Sequence, residues 1–271
     1  MTQPLRLRGF AASAGIAIAP ARVLGDEASR RHYARIDEDG VGVELERFDE
    51  ALQQSRAEIE TAKEQLTEQQ GAEYASILDV YLLMHDDAVF VDAVRDAIRR
   101  DRVNADWAVA KVAERLRAPL LGDSSDYFRE RARDIDHLEE HVLRELRGES
   151  RLTPAPPSAS VLIAADLAPA DAVRLLAPPT AALVTSGGAP SSHTAILARA
   201  FGVPTVVAAG PRIAEIKEGE DVLVDGFSGE VSVRFTVEER QEAESRHVRF
   251  ISFLEEAPVE GHAKTEDDVE F

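Results

Sequence analysis

The hydrophobic period changes twice along this chain, and those changes limit the folds open to it. Residues 5 to 24 alternate polar and apolar side chains, first Leu5-Arg6-Leu7-Arg8 and then, past Gly9, Ser13 through Leu24. That pattern reads as two short strands around a small-residue loop. From about residue 33 to 147 the repeat is helical: Leu45, Phe48, Leu52, Ile59 and Leu66 recur at three- and four-residue multiples with Glu, Gln and Arg between them. A break at Gln69-Gln70-Gly71 precedes a second helical segment carrying Ile77, Val80, Tyr81 and Met84. Asp86 or Asp87 can cap a third, Asn104 or Asp106 a fourth, and Ser124 or Ser125 a fifth that runs past Phe128, Ala132, Leu138 and Leu146. Short connections between such helices predict antiparallel neighbours in a bundle. The stretch 148 to 160, with three prolines and three serines, reads as a linker. After it, short apolar runs (Val161 to Ala164, Leu183 to Thr185, Thr205 to Ala208, Val222 to Val224) alternate with helical segments, an α/β pattern. Residues 221 to 234 read as a hairpin, and 236 to 256 as a charged helix. The last 17 residues hold seven acids against Lys264 and read as weakly ordered. The predicted architecture is α/β plus all-α. One α/β unit (1–32 and 148–235) is interrupted by a helical bundle (33–147) and followed by a linker helix and acidic tail (236–271).

Within the α/β part, residues 180 to 208 concentrate the chemistry. An apolar run ends in Gly187-Gly188-Ala189-Pro190, a helix is predicted from about Ser192 to Phe201, Gly202 closes it with Pro204 just beyond, and a second apolar run follows. His193 falls where the helix begins. The first turn of a helix presents unpaired N–H groups and the positive end of its dipole, so it favours an anion. A neutral imidazole there can attack phosphorus, and the phosphoryl oxygens would meet backbone N–H groups with the hydroxyls of Ser191, Ser192 and Thr194. Gly187 and Gly188 let the backbone come close. Read alone, a histidine after two serines is more often a helix-start residue without chemistry.

Composition narrows the partners. The net charge is −19, with no run of Lys or Arg to neutralise phosphates, which argues against nucleic acid and anionic membrane surfaces. It suits a partner with a basic face. There are no cysteines, hence no disulfides or thiolate metal sites. No apolar run approaches a membrane span and the N-terminus lacks a signal-like core, so the expectation is a cytoplasmic protein. His137 and His141 lie four apart with Glu139 and Glu140 between, but His-Leu-Glu-Glu-His is not the zinc-helix order, so no metal site is expected.

The segment Ser192-His193-Thr194-Ala195-Ile196, with Ala198, Arg199 and Pro204, resembles the phosphohistidine signature of the phosphoenolpyruvate-utilising enzymes. Two departures stand out. The Gly187-Gly188 pair lies one residue further from the histidine than is usual in that family, and Ser191 replaces its threonine. Gly9, Ser13, Gly15, Ile16 and Ala17 resemble the opening of enzyme I of the sugar phosphotransferase system, and Tyr127 through Asp134 is similar to a Tyr-x-x-Glu-Arg-Ala-x-Asp segment on that family's last bundle helix. Asp166-Leu167-Ala168-Pro169-Ala170-Asp171 resembles its Asp-Leu-Thr-Pro-Ser loop, with Ala168 in the place of a threonine that can hydrogen-bond the active imidazole.

The resemblance covers the whole chain. It implies a swivelling α/β phosphohistidine subdomain with an inserted helical subdomain, and a phosphoenolpyruvate-binding barrel beyond the linker helix, where this chain stops. The chain is accordingly read as the amino-terminal fragment of such an enzyme. His193 would take a phosphoryl group that originates in phosphoenolpyruvate and pass it to a histidine of the small carrier protein HPr. The phosphate environment would be Ser191, Ser192, Thr194 and Gly188. HPr would dock on the bundle through Tyr81, Leu82, Met84, His85, Phe128, Arg131 and Asp134, with Tyr81 standing where the family often has a histidine. Arg199 is expected to be structural. Magnesium would serve the barrel and no cofactor this fragment, which would be a monomer that exchanges phosphate with HPr. Two rivals remain: the phosphohistidine domain of a pyruvate phosphate dikinase or phosphoenolpyruvate synthase, and a non-catalytic module that binds a carrier protein.

Overall fold

A computed structural model describes residues 3–25, 32–122, 125–148 and 156–256. The acidic tail beyond residue 256, most of the linker predicted at 148–160, and Ser124 lie outside the described residues. The strands are β1 (Leu5–Arg8), β2 (Phe10–Ser13), β3 (Ile16–Val23), β4 (Ser160–Ala164), β5 (Thr180–Thr185), β6 (Thr205–Val207), β7 (Asp221–Asp225) and β8 (Glu230–Val233). The helices are α1 (Gly40–Gln70), α2 (Ala72–Ala75), α3 (Asp79–His85), α4 (Ala88–Asp101), α5 (Ala105–Leu121), α6 (Asp126–Leu146), α7 (Pro169–Leu175), α8 (His193–Ala200) and α9 (Val237–Glu256).

The amino-terminal segment holds three strands rather than the two expected, because Phe10–Ser13 forms a strand of its own. Strand order is β1-β8-β7-β3-β4-β5-β6-β2, which puts β1 and β2 at opposite ends. Only Gly9 separates them in sequence, so the sheet must curl back until its two ends meet. Gly9 N–H donates to Gly229 O at 2.9 Å, continuing the β1–β8 pairing. A Cβ on Gly9 would stand 2.3 Å from Val207 O, so any side chain there would force that carbonyl to move. Strands β3, β4, β5 and β6 run parallel to one another, and the pairs β3/β7, β7/β8, β1/β8 and β2/β6 are antiparallel. All five residues of β4 are buried, as expected for a parallel strand covered on both faces.

Alternation along β4 divides two cores. Val161 and Ile163 point into the curl with Val184, Val206, Val222, Val224 and Val231. Leu162 points the other way, with Leu183, onto Val173 and Leu175 of α7, Leu197 of α8, and Ile59, Leu66, Leu78 and Tyr81 of the helical insertion. This second core joins the bundle to the sheet. The bundle has a third core of its own, built from Phe48, Phe90, Val94, Ile98, Val109, Val112, Leu138 and Val142. Its caps follow the sequence: Asp87 Oδ1 accepts from Val89 N–H at 2.8 Å and Asn104 Oδ1 from Trp107 N–H at 3.4 Å. Gly71, at φ 96°, ends α1, and the chain passes through α2 and a 3-10 turn (Ser76–Leu78) into α3. Pro119 lies inside the last turn of α5.

Gly9→Ala tests the seam. The forced shift of the Val207 carbonyl is expected to destabilise the chain by about 1–3 kcal/mol. A lower urea midpoint at unchanged m-value would show it; an unchanged midpoint would mean the seam is slack.

Candidate active site

α8 is built as its sequence suggests. Ser192 is extended (φ −63°, ψ 155°) and its Oγ accepts from Ala195 N–H at 3.2 Å. Gly202 follows the helix at φ 66°, and Val203 N–H reaches back to Ala198 O at 2.9 Å. His193 is therefore the first residue of the helix. Ile196 N–H makes the first intrahelical bond, to Ser192 O at 3.0 Å. The N–H groups of His193 and Thr194 stand ahead of it and are available to an anion. Gly188, at φ 94°, shapes the preceding turn in a conformation that an L side chain rarely adopts.

The hydroxyls differ from expectation. Thr194 is buried and its O–H donates to Leu167 O at 2.6 Å, so it fastens α8 to the 166–168 loop instead of facing a phosphate. Ser192 is buried and occupied as the cap. Ser191 is exposed at the rim. Arg199 Nη1 donates to Ala12 O (2.7 Å) and Pro190 O (3.0 Å), a structural role.

The His193 ring is 28% exposed. Its Nδ1 faces inward, 3.0 Å from Tyr81 Oη and 3.5 Å from Asp134 Oδ1, while Tyr81 Oη lies 2.5 Å from Asp134 Oδ1. The Tyr81 ring meets the imidazole edge-on, centroids 5.7 Å apart. Arg131 Nη1 donates to the other carboxylate oxygen, Asp134 Oδ2, at 3.0 Å. Among the described residues, only Nδ1 of the imidazole is hydrogen-bonded; Nε2 is left for a reactant. Burial alone would raise the Asp134 carboxyl, but hydrogen bonds from His193 and Tyr81 hold it below the ordinary carboxylate range. Burial, and then the Asp134 charge, push the Tyr81 phenol far up, so it keeps its proton. Burial is also the main cause raising Glu130, which senses the neighbouring Asp166 and Asp134 charges.

Three residues expected on the HPr-docking face are thus corrected. Tyr81, His85 and Asp134 are 4%, 2% and 4% exposed and point into the molecule. The reason is helical period: on α3, Tyr81 and His85 share the face of the core residue Leu78, and that spacing was the available signal. Leu82 and Met84 are half-buried and pack against the cores, while Leu83 between them is exposed. Phe128 is partly exposed beside the more exposed Tyr127, whose ring lies under Arg131 at 5.4 Å. His137 and His141 are buried between the bundle and the α/β unit, facing Asp166 (3.5 Å) and Asp171 (3.7 Å). No group of three or more His, Asp or Glu among the described residues is placed to hold a metal ion.

Comparisons with known proteins show the family. Residues 8–131 match the family described as PEP-utilising enzyme, N-terminal, and residues 156–229 match PEP-utilising enzyme, mobile domain. A solution NMR structure of Enzyme I (nEIt) superposes with TM-score 0.70 at 31% identity, covering 90% of this chain and 99% of that one. The N-terminal domain of Enzyme 1 - Nitrogen gives TM-score 0.56 at 26% identity, covering 91% of this chain and 99% of that one. The phosphoenolpyruvate-protein phosphotransferase of Bacillus sp. (strain S) is 32% identical over 90% of this chain and 42% of its own length. That of Bacillus subtilis (strain 168) is 32% identical over 91% of this chain and 43% of its own. The chain therefore belongs to the phosphoenolpyruvate-utilising enzymes, on the enzyme I branch, and spans about two fifths of the length of those curated relatives. No described helix is long and apolar enough to cross a membrane.

His85 supplies a pH test. Its Nδ1–H donates to Tyr81 O (2.7 Å), its Nε2 accepts from Ser55 Oγ–H (2.8 Å), and burial lowers it from 6.5 to about 4. Between those values the unfolded chain binds a proton that the folded chain refuses, so stability falls as pH drops from about 6.5 to about 4. The loss attributable to His85 should approach about 3 kcal/mol. Denaturation curves of wild type and His85→Gln across that window should converge towards low pH; parallel curves would contradict the buried neutral imidazole.

Proposed function

We propose that His193 accepts a phosphoryl group on Nε2 and exchanges it with a histidine of the carrier protein HPr. Phosphoenolpyruvate, the original donor, would be held by a part of the whole protein outside this chain. The observation that carries the reading is the ring itself: Nδ1 is tied inward, and Nε2 stands at the start of a helix whose first N–H groups can receive phosphoryl oxygens. In-line transfer between two imidazoles asks mainly for positioning and for donors to the equatorial oxygens. The names of the similar proteins, and the matching mobile-domain family over residues 156–229, support the same assignment.

HPr would dock where the bundle ends beside His193. Leu83 on α3 and Tyr127 with Phe128 on α6 present exposed apolar surface there, and the net charge of −19 favours a basic partner. Asp134 and Tyr81 serve the imidazole in this account and not the docking surface. The Mg²⁺ implied by the family resemblance would serve phosphoenolpyruvate binding. The site of action on this reading is the cytoplasm.

Incubation with phosphorylated HPr, followed by intact mass, tests the reading. The wild-type chain should gain one acid-labile phosphoryl group and His193→Ala none. Binding of HPr without transfer would favour the non-catalytic module, and phosphorylation of His193→Ala would move the nucleophile elsewhere.

A further inference from the structure

A single phenolic hydroxyl lies between a carboxylate oxygen and an imidazole nitrogen. Tyr81 Oη is 2.5 Å from Asp134 Oδ1 and 3.0 Å from His193 Nδ1. An ionised carboxylate offers only lone pairs, so in the shorter contact the Tyr81 O–H donates to Asp134. The phenol oxygen then turns a lone pair to the imidazole. That contact is a hydrogen bond only if Nδ1 carries a hydrogen. Asp134 Oδ1, 3.5 Å from Nδ1, would repel a bare nitrogen lone pair at the same place. The carboxylate cannot easily turn away, because Arg131 holds its other oxygen at 3.0 Å. The hydroxyl is 112 residues from His193 in sequence and sits in an otherwise apolar cluster, where a phenylalanine would fill the same volume. A buried hydroxyl there is tolerable only because both partners satisfy it.

We propose that Tyr81, backed by Asp134, is the positioning residue of His193: its hydroxyl fixes the Nδ1–H tautomer and leaves the Nε2 lone pair as the nucleophile. The role fills a gap, since Ala168 has no hydroxyl where the family resemblance places a threonine. The inference rests on the phosphotransfer reading. In that step Nε2 forms the N–P bond, and the bond from phosphorus to the donor's leaving atom breaks with its electron pair going to that atom. The ring, now cationic, keeps its Nδ1 proton against the Tyr81 oxygen, and the Tyr81 proton stays with Asp134. In the reverse direction the same contacts keep Nδ1 protonated, so the ring departs as neutral imidazole.

The test uses the whole chain labelled with ¹⁵N in its histidine rings, as wild type and as Tyr81→Phe. In the wild type, His193 should show a protonated Nδ1 and an unprotonated Nε2. In Tyr81→Phe the two nitrogens should move towards averaged values, and uptake of phosphate from phosphorylated HPr should slow about 10- to 100-fold, the worth of one hydrogen bond to a charged network. Amide spectra unchanged away from α3, α6 and α8 would accompany this. A wild-type ring protonated on Nε2 overturns the proposal without any variant, and so does a Tyr81→Phe chain that keeps both the tautomer and the rate. No phosphate uptake by the wild-type chain, with the tautomer in place, would instead overturn the phosphotransfer reading and the positioning role with it.

Discussion

Everything near His193 depends on one buried hydroxyl. Tyr81 comes from α3, Asp134 from α6 and His193 from α8, so their contacts cross from the helical insertion to the α/β unit. Tyr81 can stand there because Gly71 ends α1 and lets the chain turn into α3, and because its ring packs in the core that also holds Leu162 and Leu183 of the sheet. A group held by core packing keeps its geometry better than one on a loop. The imidazole is thereby oriented by the same residues that bury the bundle against the sheet.

Charge completes the seam. Arg144 of α6 donates to Asp171 of α7 at 3.2 Å and to Glu58 of α1 at 3.3 Å, and Arg174 also reaches Asp171. His141 and His137 face Asp171 and Asp166. Burial opposes ionisation of Asp171, yet the contacts of His141 and Arg144 hold it well below the usual carboxylate range. His137 shows the mirror image: burial lowers it, and Asp166 more than offsets this. Buried pairs of this kind add little net stability, since desolvation offsets the attraction. They do specify register, because any slip of α6 along α7 would strand several charges at once. The register matters here, for Asp134 sits on the same helix.

The sequence disclosed what local rules govern. The two changes of hydrophobic period marked the helical insertion between strands, and Ser192 with Gly202 bracketed α8 and placed His193 at its start. Asp87 and Asn104 announced their helices in the same way. Long-range closure was hidden. Nothing local says that Gly9 must meet Val207 and Gly229, so β1 and β2 were read with one strand too few. Thr194 lies next to His193 in sequence, and proximity suggested a phosphate contact; the fold instead brings Leu167 O within 2.6 Å of its hydroxyl. Tyr81 and Asp134 were legible as unusual residues on helices, but their partner lies on a distant segment. Tyr81 shares its helical face with the core residue Leu78, a phase that tells against a docking role.

The account stands on which imidazole nitrogen reacts. The direct measurement is ³¹P–¹⁵N coupling in the ring-labelled chain after phosphorylation by phospho-HPr. Coupling from phosphorus to Nε2 of His193, with Nδ1 still bonded to hydrogen, is the predicted result. Coupling to Nδ1 would contradict it, because a phosphoryl group there would have to displace Tyr81 and Asp134 from the positions on which the site is built.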